Sequence, residues 1–287
     1  METTGWMEVT HDRAAAAVGS GSVNVLATPE IVALVLAETA AGGALFLFFS
    51  PLWNETRRGF FYVVGIVVLV FAAAATGSAA AGYDPRSGGR GHLAEALALS
   101  LTVATLVWLL LLAFKQRTPA RVMGLLTVPL AVVMLGAFAR TADRNAGLAF
   151  FQLVAGAGFM GAVMDGLLLG HWYLTDRKLT RTPINRSTLA LLGAVVLEAG
   201  AVIAGAFGHH AANSATAASL SPLLTVAGIA SWIAFGMVAC TGLIAVMIKL
   251  TLRETRPAAV QSATGFFYLA VITAFTGELA SKVKFLP

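Results

Sequence analysis

Apolar residues run along this chain in long stretches, separated by short segments that carry Pro, Gly, Asn and single charges. A helix that crosses a bilayer needs about 20 mostly apolar residues. Eight stretches meet that length: Glu30–Trp53, Gly59–Gly82, His92–Phe114, Val122–Ala139, Leu148–Tyr173, Thr188–Gly208, Leu223–Leu250 and Val260–Lys282. Inside lipid every backbone N–H and C=O must be satisfied within its own segment or in a closed barrel, and runs of this length predict helices. The expected fold is therefore all-α, a polytopic transmembrane bundle of about eight spans. The connections Tyr83-Asp84-Pro85-Arg86 and Thr182-Pro183-Ile184-Asn185 read as turns. Pro129 lies inside the fourth stretch and is expected to kink it. Residues 1–29, with Gly19-Ser20-Gly21-Ser22, read as a flexible tail, and 30–287 as a single bundle. The tail lacks a basic segment followed by an apolar one, so no signal peptide is expected.

Composition supports lipid as the solvent. Of 287 residues, 58% are hydrophobic and 11% charged, whereas a soluble domain has about a quarter of its residues charged. Mean hydropathy is +0.82. The net charge of +5 does not point to nucleic acid, because the basic residues stand singly in short turns, the pattern that orients a membrane protein. With the N-terminus outside, twelve Lys and Arg fall on the inner side and seven on the outer, Lys282 and Lys284 among the seven. Both termini are expected outside, in a multi-pass protein of the inner or plasma membrane. The single cysteine, Cys240, excludes an intramolecular disulfide and a CxxC site, and is expected to be a small buried hydrophobe.

A weak parallel repeat is visible. Gly43…Glu55-Thr56-Arg57 aligns with Gly242…Glu254-Thr255-Arg256, and Gly59-Phe60-Phe61-Tyr62 with Gly265-Phe266-Phe267-Tyr268. Interfacial aromatics or chance produce the same pattern.

An ionisable group within a span is costly and is a functional candidate by default. Glu38, Asp165 and Glu198 qualify most clearly as proton-handling groups. Neighbours at i±3, i±4 and i±7 share a helix face. For Glu198 these include Ala194, Ala201 and Gly205; for Asp165, Gly158, Gly161 and Ala162; for Glu38, Ala41 and Gly42. Small residues mark closely packed helix faces, so all three acids are expected to point into the bundle. The alternative is a carboxyl that only joins two helices. Glu95 reads as an acid in the first turn of its span. Glu278 and Lys282 read as a structural pair four apart at the outer end of the last span.

His92, His209 and His210 fall at the outer ends of the third and sixth spans, and His171 near the inner end of the fifth. A b-type haem needs axial ligands at matching depth on facing helices, a condition His92 meets with His209 or His210. No acid or Cys beside His209 and His210 completes a zinc site, and no metal is expected. His209 follows Glu198 by eleven residues, about 16 Å along one face, a line of protonatable groups suited to a proton wire or a quinol site. His92, Glu95, His209 and His210 are thus candidates for quinone or haem at a shared outer pocket. No GxxxxGK[ST], HExxH or GxSxG motif is present. The chain is not expected to be catalytic alone.

The first span, Ala37-Glu38-Thr39-Ala40-Ala41-Gly42-Gly43-Ala44, resembles the opening helix of the NrfD/polysulfide-reductase family of membrane subunits, with a polar residue followed by an Ala/Gly run. The resemblance covers one span and the overall layout. It implies about eight spans, quinone bound in the bundle and an iron–sulfur partner, with Glu38 the one residue carried over. Gly170-His171-Trp172-Tyr173 and Gln261-Ser262-Ala263-Thr264-Gly265 match nothing in that family. The leading expectation is a membrane subunit of a respiratory or electron-transfer complex, handling quinone or protons beside iron–sulfur or cytochrome subunits. The alternatives are a proton-coupled transporter of a small solute and a structural or assembly subunit.

Overall fold

The structure, a computed structural model, describes residues 28–53, 58–83, 89–142, 145–176, 179–207 and 226–285. They form α1 (Thr28–Trp53), α2 (Arg58–Gly82), α3 (Arg90–Ala113), α4 (Arg117–Ala139), α5 (Ala146–Thr175), α6 (Thr182–Phe207), α7 (Val226–Thr251), α8 (Pro257–Lys282) and a 3-10 turn, η1 (Val283–Phe285). Each of the eight helices is long and apolar enough to cross a membrane. The chain is a multi-pass helical membrane protein. The start of α1 and the end of α8 lie at one end of the bundle, the terminal face.

The outward surfaces of the outer helices are apolar, with Val196, Leu243 and Ile272 well exposed. In water such a surface would drive association; against acyl chains it is the matching solvent. α1 and α5 are the most enclosed helices. α1 packs on α2, α4, α5 and α8, and α5 on α1, α2, α4, α6 and α8. Their close approach follows from small residues: a Cβ on Gly42 would overlap the backbone of Ala157 and Gly161, and one on Gly161 would overlap Gly42. Two such glycines let backbones touch and bury the polar side chains one turn away.

Several helix ends differ from expectation. Thr182-Pro183-Ile184-Asn185 is the first turn of α6 rather than a connecting turn. Proline is tolerated there because its missing N–H would have no helical partner. α4 begins at Arg117, before the expected Val122, with Pro119 likewise in its first turn, and it continues through Pro129. The Thr127 hydroxyl donates to the Gly124 carbonyl at 2.7 Å. Asn145 caps α5, its side chain accepting from the Gly147 and Leu148 amides at 2.9 and 3.3 Å. The expected ends at Gly208 and Leu223 lie outside the described residues, as does the N-terminal tail.

Two further readings change. Cys240 is exposed on the outer surface, not buried; a thiol is apolar enough to face lipid without penalty. The two aromatic tetrapeptides begin at different depths, Gly59 being the second residue of α2 and Gly265 the ninth of α8. The Glu55-Thr56-Arg57 half of the repeat lies outside the described residues. At the opposite end of the bundle, the Arg181 guanidinium donates to the carbonyls of Glu254, Thr255 (2.6 Å) and Arg256 (2.8 Å). It ties the α5–α6 connection to the α7–α8 connection.

Candidate functional site: a buried acid–lysine cluster

Four ionisable side chains from the two ends and the middle of the chain meet between α1, α6 and α8, against α5. Lys282, the last residue of α8, places its ammonium 2.7 Å from Glu38 Oε1 and 2.8 Å from Glu278 Oε2. Lys282 and Glu278 are each 1% exposed and Glu38 is fully buried. Glu198 on α6 lies close enough to interact electrostatically with Glu278, Lys282 and Glu38. Three carboxyls therefore surround one ammonium.

Local sequence explains the meeting point. α5 contributes Gly156 as its floor: a Cβ there would sit 2.6 Å from Glu38 Oε1 and 3.0 Å from Glu278 Oε2. Glu198 reaches inward from the small face expected of it, with Ala201 and Gly205 buried. Gln152 on α5 fills the space beside Gly205 and donates to the Ala201 carbonyl at 3.1 Å. On the terminal side, η1 folds Phe285 back so that the Lys282 ammonium lies 5.5 Å from its ring centroid. Phe285 is itself buried and separates the cluster from that face, adding a cation–π contact.

Charge counting fixes the chemistry. With all groups ionised, one positive charge would face three negative ones in a medium that solvates none of them. A carboxyl–carboxyl hydrogen bond also requires a proton on one partner, since an ionised carboxylate only accepts. Among the described residues, Glu38 Oε2, Glu198 Oε2 and Glu278 Oε1 meet no donor unless a neighbouring carboxyl supplies one. A net-neutral cluster of three carboxyls and one ammonium carries protons on two of its acids.

The expected inward placement of Glu38, Asp165 and Glu198 is thus observed. Only Glu38 and Glu198 meet. Asp165 lies apart, deeper along α5, where its Oδ2 accepts from the Ser187 hydroxyl at 2.9 Å. The Glu278–Lys282 pair expected across one turn does form, and both residues are buried in the cluster. Lys282 is likewise no outer-loop charge. The signal was in the sequence, because Ala270 and Ala274 precede Glu278 at helical spacing and are fully buried.

Near the start of α3, His92 Nδ1 lies 3.6 Å from Glu95 Oε2, with the side chains 60% and 34% exposed. His209 and His210 lie outside the described residues, so the pocket they were expected to share with His92 and Glu95 does too. His171 is exposed and hydrogen-bonds Tyr268 through Nδ1 at 3.1 Å. Among the described residues no group of three or more His, Cys, Asp or Glu is arranged for a metal ion. Comparison with family models, curated proteins and solved structures gives no match.

Proposed function

We propose that this protein is a membrane subunit that takes up and releases protons through Glu38, Glu198, Glu278 and Lys282, as part of a respiratory or electron-transfer complex. One observation carries the reading: a buried ammonium lies 2.7 and 2.8 Å from two buried carboxyls, with the buried Glu198 close enough to interact with all three, so the site changes charge only by gaining or losing protons. Quinone oxidation and reduction move protons with electrons and need such groups inside the bilayer. In this reading the half-exposed pair His92 and Glu95 meets the quinone head group, and the termini lie outside, following the basic residues. Labelling of cysteines placed at His92 and Arg253 in a Cys240→Ala background tests that orientation. External reagent should reach position 92 in intact cells and position 253 only after permeabilisation.

The test of proton handling uses the whole protein in sealed vesicles that enclose a pH-sensitive dye, with a potassium diffusion potential imposed. Wild type should carry protons, and Glu198→Gln should lose about tenfold or more of that flux, on the scale of losing a positioned proton-transfer group. Gln preserves size and hydrogen bonding, so the variant should still fold. Equal flux in Glu198→Gln and wild type would reduce Glu198 to a joint between helices.

A further inference from the structure

The two segments that match no family pattern, Gly170-His171-Trp172-Tyr173 and Gln261-Ser262-Ala263-Thr264-Gly265, lie against each other in the fold. Contacts at Gly170 with Thr264, Gly166 with Phe267 and Gly156 with Glu278 show α5 and α8 running antiparallel. Three residues of the first segment hold the end of α5 in place. Gly170 lets α8 approach: a Cβ on it would lie 2.5 Å from Thr264 Oγ1. Trp172 packs its ring on Gly59 of α2 and edge-on against Phe60, with ring centroids 6.2 Å apart. The Tyr173 hydroxyl bonds to the Thr180 carbonyl. His171, set among them, is exposed. It meets the exposed Tyr268 of α8, whose hydroxyl lies 3.1 Å from Nδ1 and 3.5 Å from Nε2. One hydroxyl serves one ring nitrogen well, so the pair keeps hydrogen-bonding capacity for a third group.

The surface beside this pair is shaped and graded. Gln261, Gly265, Tyr268 and Ile272 share one face of α8 by helical spacing, and all four are exposed. A Cβ on Gly265 would meet nothing within 4 Å, so the face is open between Gln261 and Tyr268. Thr264 is seven residues from the start of α8 and Gly170 five from the end of α5, about 10 and 8 Å inside the two spans. The polar groups therefore lie nearer the end of the bundle opposite the termini, and Ile272 continues the same face toward mid-membrane. No Asp, Glu, Lys or Arg stands on α8 between Pro257 and Gly277, or on α5 between Gly166 and Thr175. Arg256, at the start of α8, is about 12 Å before Thr264. The site offers hydrogen bonds rather than a fixed charge.

We infer that His171, Tyr268 and Gln261, around the open Gly265, bind the head group of a membrane-dissolved amphiphile: an uncharged head bearing carbonyl or hydroxyl oxygens, on an apolar tail that runs over Ile272. Imidazole, phenol and amide supply both donors and acceptors, and polar groups turned toward hydrocarbon gain most from such a partner. A lipid-soluble quinone or quinol and a diacylglycerol both have this chemistry. A phosphate would be drawn to the guanidinium groups at the helix ends instead. The site is separate from the acid–lysine cluster and does not depend on the proton-handling reading.

The test uses the whole protein in phosphatidylcholine vesicles and two diazirine probes, a decyl-tailed benzoquinone and a diacylglycerol, with the labelled peptides mapped by mass spectrometry. At least one probe should label the Gly170–Tyr173 or Gln261–Tyr268 segment saturably, and the one that does names the source of the head group. Tyr268→Phe and His171→Phe should each weaken half-saturation about three- to tenfold, the loss of one hydrogen bond. Gly265→Leu should abolish saturable labelling by filling the open face. All three place apolar groups where lipid is the neighbour, so folding should be kept. Glu198→Gln, which tests the cluster, should label like wild type, so either reading fails without the other. Labelling by both probes that rises without saturation, or that is unchanged in Gly265→Leu, overturns the site. Labelling displaced by phosphatidylglycerol but by neither unlabelled neutral compound overturns the uncharged head group.

Discussion

Replacing Lys282 by Met tests the cluster most directly, because Met keeps the length of the unbranched stem and removes only the charge. The ammonium is 1% exposed and touches two carboxylates at 2.7 and 2.8 Å. At an effective dielectric of about 20, each contact is worth about 6 kcal/mol of Coulomb attraction. Desolvation returns several kcal/mol per ion, and repulsion among the three acids opposes the remainder. What survives is the usual cost of orphaning a buried partner, about 3–5 kcal/mol. That is a factor of about 10²·² to 10³·⁷ in the folding equilibrium, at 1.36 kcal/mol per decade. The same reasoning predicts recovery on removing a negative charge as well. Lys282→Met combined with Glu278→Gln should be more stable than the sum of the single changes by about 1–3 kcal/mol. Reversible unfolding in mixed micelles, followed by helical circular dichroism for the four members of the cycle, measures this. Additive single effects, or a Lys282→Met cost below about 1 kcal/mol as for an exposed pair, would refute the buried cluster.

Other outcomes follow from single contacts. Gly156→Ala places a methyl against Glu38 and Glu278; it should cost about 1–3 kcal/mol by overpacking and depress proton flux. Phe285→Ala should remove the cover over Lys282, speeding hydrogen exchange of the α8 C-terminal amides in deuterated buffer while the exchange of α3 amides is unchanged. Glu198→Leu should lower the unfolding midpoint where Glu198→Gln does not, since Ala201 and Gly205 leave no room for a branched side chain. Arg181→Ala removes three hydrogen bonds to carbonyls of the α7–α8 connection. It should cost about 1 kcal/mol at this exposed site and make cleavage in the connection by added protease faster.

The eight spans were legible from hydropathy alone because lipid leaves the backbone one local solution, the helix, wherever about 20 apolar residues run together. The inward direction of Glu38, Asp165 and Glu198 was legible for a related reason: each lies on a face of Ala and Gly, and such faces pack. Helix ends were read less well, as at Thr182 and Arg117, because proline ends a helix from within yet begins one from its first turn. Which acids meet was decided only by tertiary structure. Glu38 and Lys282 stand at opposite ends of the chain, and no periodicity along one helix encodes which helix it will face. The contact of Gly42 with Gly161 sets how α1 and α5 cross; Gly156 then leaves the space that Glu38 and Glu278 occupy, while Asp165, on the same helix, is left with Ser187. Spacing along the sequence makes Glu278 and Lys282 neighbours on a helix surface. Only the packing of α1, α5 and α6 around α8 turns that surface into an interior and brings two more carboxyls to one ammonium.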